Sequence, residues 1–127
     1  MIAEYNGPLM LMGLFIFKHF LADFVLQTHR HIVGKEYYGR WAGVEHSFHH
    51  GILTFLVVVP FVNLSTALLI GLIDTIVHYH IDYVKARFGT KDISKKSHWT
   101  WFGADQMLHY LTYLAIVLNC NNSKMGE

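Results

Sequence analysis

The sequence predicts an all-α membrane protein, a four-transmembrane-helix antiparallel bundle with a His/Asp cluster in its cytoplasmic half. Three observations predict it. Four apolar runs of crossing length alternate with short connections, Lys and Arg gather in the first and third of those connections, and every run carries ionisable residues spaced i,i+4 near the same end. With 127 residues, 53% of them hydrophobic and 15% charged, the composition fits one compact unit and excludes a disordered chain. A formal net charge of +1 gives no basis for nucleic-acid binding. Cys120 is the only cysteine, so there is no intramolecular disulfide, and a metal would have to be held by His and carboxylate.

The first span is expected over about 8–28, with Pro8 in a first helical turn. No basic cluster precedes this run and no small-residue cleavage pattern follows it, so it reads as a span and not as a removable signal peptide. Thr28 to Arg40 is polar, basic and interrupted by Gly34 and Gly39, as a loop would be. A second span, about 41–60, begins with Glu45-His46-Ser47-Phe48-His49-His50 and becomes wholly apolar. Pro60 then breaks the run, and Asn63 or Ser65 can cap the next helix after a tight hairpin. The third span is expected over about 64–87, followed by a basic loop. The fourth, over about 100–118, leaves a disordered tail from Asn119 to Glu127. By the positive-inside rule loops one and three are cytoplasmic and both termini face out, with Tyr37, Tyr38, Trp41, Trp99 and Trp101 in the interfacial belt.

The topology brings one polar pair of each span to a common depth: His19 with Asp23, His46 with His50, His78 with Asp82, and Asp105 with His109. An i,i+4 pair projects from one helix face with side chains about 6 Å apart, close enough to grip one ion. These eight are the candidate metal ligands. Imidazole with carboxylate suits zinc ahead of iron or manganese, as one ion or two. Asp74, His78, Asp82 and Lys85 share a stripe about 80° wide. Asp74 lies deeper and is assigned as a partner of a ligating His, while Lys85 and Lys18 read as cations snorkelling to the interface. Gln27, His49 and Gln106 are candidates to orient ligands or substrate, with His49 closer to a surface residue. His29, His31, His80 and His98 receive no role. The alternative is that the pairs form a seam of interhelical hydrogen bonds.

The segments Lys18-His-Phe-Leu-Ala-Asp-Phe-Val-Leu-Gln-Thr28, His46-Ser-Phe-His-His50, His78-Tyr-His-Ile-Asp-Tyr-Val-Lys85 and Asp105-Gln-Met-Leu-His109 follow the order HxxxDFxxQ, His, HxxxDxxK, DQxxH. In this order the chain resembles, over nearly its whole length, the small bacterial and phage membrane proteins of the domain of unknown function 3307 family. The resemblance marks His19, Asp23, Gln27, His46, His78, Asp82, Lys85, Asp105, Gln106 and His109. It implies a multi-pass protein of the bacterial inner membrane, with a looser likeness to membrane-bound metal-dependent hydrolases.

These readings lead to an expected hydrolase acting on an anionic lipid or lipid-linked substrate. Asp23 or Asp82 would serve as general base, and Lys85 and Arg87 would form a basic rim. The other class is a non-enzymatic phage or bacterial membrane protein that binds a host membrane partner, or its own copies as a homo-oligomer. A di-iron oxidase needs more His-rich boxes than the other spans carry, and an ion carrier would trace polar residues across the bilayer instead of gathering them at one depth.

Overall fold

The computed structural model describes residues 2–125, and every described element is helical. Helix α1, Ile2–Phe20, runs straight into a π-helical turn, Leu21–Leu26; α2 is His29–Gly34, α3 Trp41–Val58, α4 Leu64–Phe88 and α5 Lys96–Met125. Both α1 and α4 pack against α3 and α5, which closes the four long helices into a ring. An apolar core unites Leu11 and Phe15 of α1 and Ala67 near the start of α4 with Val58 at the end of α3 and Tyr113, Ile116, Val117 and Cys120 late in α5. Consecutive long helices therefore run antiparallel. The polar pairs are left to converge at the opposite end, on the C-terminal sides of α1 and α4 and the N-terminal sides of α3 and α5.

Local chemistry explains the helix boundaries. Asn63 caps α4, its side chain accepting from the Thr66 N–H at 2.9 Å. Gly39, with φ of 78°, supplies the left-handed turn that leads into α3. The tightest helix contact is α3 on α4. A Cβ on Gly51 would lie 1.8 Å from Thr75 Oγ1 and 2.7 Å from the Gly71 carbonyl, so only a hydrogen fits. Gly51→Ala is expected to lower stability by about 1–3 kcal/mol through overpacking. Thermal unfolding in detergent would show it, and Gly13→Ala, where a Cβ meets nothing within 4 Å, should leave the midpoint in place.

Several expectations are corrected. The first connection is not a simple loop: Thr28 caps α2, with its side chain against the His31 backbone and the His31 ring back on the Thr28 N–H, and this box nucleates a helical turn in a polar stretch. Pro8 lies inside α1, which begins at Ile2. The tail expected to be disordered is helical to Met125, because Ile116, Val117 and Cys120 bury its inner face; Gly126 and Glu127 lie outside the described residues.

Among the described residues, two helical stretches, Gly7–Leu26 and Leu64–Phe88, are long and apolar enough to cross a membrane. α3 and α5 begin with the polar segments around His46 and Lys96, which dilute their hydropathy. Large apolar side chains face outward on all four long helices, among them Leu9 and Phe17 on α1, Phe48 and Leu56 on α3, Leu68, Leu72 and Ile76 on α4, and Leu111, Leu114 and Leu118 on α5, with Phe24 on the π turn. The interior, by contrast, holds Lys18, Asp74, Asp82, Asp105 and six of the histidines, all below 6% exposure.

Candidate metal centre

The last turn of α1 and the π turn present His19 and Asp23. A π turn holds one more residue than an α turn of the same height and leaves terminal carbonyls without helical partners; the Gln27 amide donates back to the Asp23 carbonyl at 3.1 Å. From α3 come His46 and His50, from α4 His78 and Asp82, from α5 Asp105 and His109. Periodicity predicts that these eight meet, and in the structure they do. Asp23 Oδ1 lies 2.8 Å from His50 Nε2 and 3.1 Å from His46 Nε2, while its Oδ2 lies 3.1 Å from His19 Nε2. Asp82 Oδ2 is 3.1 Å from His78 Nε2 and 3.4 Å from His46 Nε2, and its Oδ1 is 3.1 Å from His109 Nε2. The His78 ring lies between those of His50 and His109, with centroids 3.5 and 4.0 Å away.

Two sets of donor atoms are close enough to hold an ion: Asp23, His46, His50 and His78, and then His78, Asp82 and His109, with His78 in both. The donors within each set lie within 4.8 Å of one another. His46 Nε2 and His78 Nε2 are buried and make no hydrogen bond of normal geometry among the described residues, although 3.1–3.4 Å separates them from carboxylate oxygens of Asp23 and Asp82. Ligands about 2.1 Å from a tetrahedral ion lie about 3.4 Å apart, so this spacing fits a shared centre. The donor set, imidazole with carboxylate, suits zinc, iron or manganese.

Two expected ligands fall outside those sets and contact members of them. His19 bonds Asp23, Gln106 Oε1 at 3.0 Å and the Tyr113 hydroxyl at 2.7 Å. Asp105 Oδ1 is 3.4 Å from His109 Nε2, and its Oδ2 accepts from Gln106 at 3.0 Å and Lys85 at 3.3 Å. Gln27 and Gln106 thus lie where orienting residues were expected, while Lys85, read as a snorkelling rim cation, pairs with Asp105. His49 does not; it sits half-buried against the His31 ring, because it lies 100° around α3 from His50.

Lys18 and Asp74 need correction. Lys18 is buried and does not snorkel: its Nζ is 2.9 Å from Asp74 Oδ2, with the Tyr113 ring at 4.5 Å. A carboxylate at the same depth on α4 makes the interior the better place for the ammonium. Asp74 accordingly touches Lys18 and the Thr54 hydroxyl, at 2.6 Å, and reaches a histidine only through Lys18. Lys18 Nζ is 3.3 Å from His50 Nδ1. With Lys18 donating there, a neutral His50 carries its proton on Nε2 and donates it to Asp23, so ligation through that nitrogen requires release of the Lys18 contact.

Periodicity missed Lys35, which leaves the end of α2 and places Nζ 2.8 Å from Asp82 Oδ2 while bonding Gln27. It also missed the buried His31, which bonds Glu45 at 3.3 Å. Thr54 and Tyr113 were detectable, lying four residues beyond His50 and His109 on the same faces. Arg87, expected in the basic rim, pairs with Glu36 at 3.9 Å; Lys91 also pairs with Glu36, and its hydrogen bond holds the Glu36 carboxyl below its usual range.

Fold and site together define an all-helical bundle protein with ionisable residues turned inward at one end and bulky apolar side chains turned out. The model of the family described as protein of unknown function (DUF3307) matches residues 10–125, and the chain belongs to that family. No curated protein and no solved structure matches it.

Proposed function

We propose that the chain is a four-span membrane bundle whose cytoplasmic half holds a divalent metal, and that it hydrolyses an anionic lipid or lipid-linked substrate. The observation that supports the metal is the convergence of two donor sets, Asp23 with His46, His50 and His78, and His78 with Asp82 and His109, the donor atoms of each lying within 4.8 Å of one another. Outward apolar side chains on all four long helices support the bilayer, since soluble monomers rarely expose contiguous patches beyond a few hundred Å². Hydrocarbon would cover what water would otherwise have to hydrate. The lysines and arginines near the centre's open end support a cytoplasmic orientation for it, in a bacterial inner membrane.

A divalent ion at this centre would supply Lewis acidity and water activation at neutral pH. The chain's own residues would do the rest. Asp23, more exposed than Asp82 at 11% against 6%, takes the proton from water. Lys35 and Lys85 hold the anionic group at the mouth, and His19 and Gln106 keep Asp23 and Asp105 in place. Metal analysis of protein purified from membranes without added metal tests this. One or two equivalents of zinc, iron or manganese are expected, and a metal-free preparation that takes up none on dialysis would sink the reading.

A second reading has its own support. The His50–Asp23 and His109–Asp82 contacts, at 2.8 and 3.1 Å, are good interhelical hydrogen bonds without any ion. On that reading the polar layer only joins the helices, and the protein acts by binding a membrane partner. A wild type that folds and acts while free of metal would favour it.

A further inference from the structure

Four aspartates turn into the bundle, and three of them hold a lysine. Lys18 Nζ lies 2.9 Å from Asp74 Oδ2, Lys35 Nζ 2.8 Å from Asp82 Oδ2 and Lys85 Nζ 3.3 Å from Asp105 Oδ2. Asp23 has no ammonium or guanidinium partner among the described residues. Its partners are imidazoles: His50 Nε2 at 2.8 Å, His46 Nε2 at 3.1 Å and His19 Nε2 at 3.1 Å. A neutral imidazole brings no positive charge, so Asp23 is the one carboxylate of the four left without a countercharge. An anion so enclosed calls for a cation.

The rings of His46 and His78 stand between two carboxylates that could share them. His46 Nε2 is 3.1 Å from Asp23 Oδ1 and 3.4 Å from Asp82 Oδ2, while His78, with Nε2 3.1 Å from Asp82 Oδ2, belongs to the donor sets of both aspartates. Both Nε2 atoms are buried and make no hydrogen bond of normal geometry among the described residues, and each has a single lone pair, enough for one ion. Charge decides which carboxylate joins them. Asp82 Oδ2 already carries the Lys35 ammonium, which Gln27 Oε1 also holds. With neutral imidazoles, the four aspartates and three lysines leave a charge of −1. One divalent ion brings this to +1, whereas a second would bring it to +3, away from water, where unbalanced charge is costly.

We infer that the centre binds a single divalent ion through Asp23 Oδ1, His46 Nε2 and His78 Nε2, and that the Lys35 ammonium stands in for a second ion by neutralising Asp82. The inference rests on the metal reading above and not on the reaction. Three protein ligands leave a fourth position open, as in catalytic zinc sites. His50 donates its Nε2 proton to Asp23 while Lys18 holds its Nδ1, so it steadies the carboxylate without ligating. Lys35 thereby keeps the His78, Asp82 and His109 set unfilled.

The test is zinc bound per chain, measured on the full chain in detergent after zinc loading and dialysis. The wild type should hold one equivalent. Asp23→Asn should retain less than about a tenth of that, since even groups behind the ligands change affinity by about 10–100-fold, whereas the equally isosteric Asp82→Asn should still hold one equivalent. The decisive variant joins Asp23→Asn to Lys35→Met. Removing the ammonium frees Asp82 to ligate with His78 and His109, so bound zinc should return to about one equivalent, a gain that unfolding does not imitate. Thermal midpoints separate loss of zinc from loss of fold in the single variants. Two equivalents in the wild type, a folded Asp82→Asn as empty as Asp23→Asn, or a double variant that stays empty would each overturn the inference and leave the metal reading standing. A wild type that binds no zinc overturns both.

Discussion

His78→Ala is expected to reduce the metal retained after dialysis to below about a tenth of the wild-type level, since even residues one bond removed from an ion change affinity by about 10–100-fold. His78 is the most sensitive position because it belongs to both donor sets. Without it the first set keeps Asp23, His46 and His50, and the second is left with Asp82 and His109, too few to close a site. The ring also fills the space between His50 and His109, so alanine opens a cavity and lowers stability even without an ion. His78→Gln keeps more of the volume and separates the two effects. If the ion binds only the folded state, chelation should destabilise the wild type by about 2.7 kcal/mol for metal at a hundred times its dissociation constant. The same chelator should leave the His78→Ala midpoint unmoved. His80→Ala should change neither quantity, because that ring points outward to Tyr38 and the Ile76 carbonyl. A variant that keeps its full metal complement would remove His78 from the centre.

The convergence of these residues was legible because helical geometry is nearly rigid. Once His78 and Asp82 share a face and the connections are short, the depth of each pair follows from counting residues. Lys35 was not legible for the complementary reason: it lies just past a six-residue helix, where no period fixes direction, and its reach to Asp82 depends on where the Thr28 box starts α2. The π turn was equally hidden, because Leu21–Leu26 has no composition that sets it apart from α-helix. Lys18 failed for an energetic reason. A lone lysine near a helix end snorkels, and only the position of Asp74 on another helix reverses the balance. Pairwise burial of that kind is a tertiary property, and single-helix patterns do not carry it.

That buried pair gives the other large effect. Lys18 Nζ and Asp74 Oδ2 are 2.9 Å apart, with side chains 3% and 1% exposed, so removing either partner strands a charge away from water. Asp74→Ala leaves the ammonium with the His50 carbonyl, His50 Nδ1 and the Tyr113 face, none of which carries a countercharge. Lys18→Met leaves the Asp74 carboxylate with the Thr54 hydroxyl. Each single change is expected to destabilise the fold by about 3–5 kcal/mol, measured as a lowered midpoint in detergent. The double variant Lys18→Met with Asp74→Leu should recover most of that loss, because hydrophobic residues of similar volume often replace a buried pair at no net cost. Recovery by the double variant would mean that stability alone does not account for the pair, and its contact with His50 Nδ1 becomes the feature that matters, since it decides which ring nitrogen carries the proton. A double variant as unstable as either single one would show instead that the pair holds α1 against α4.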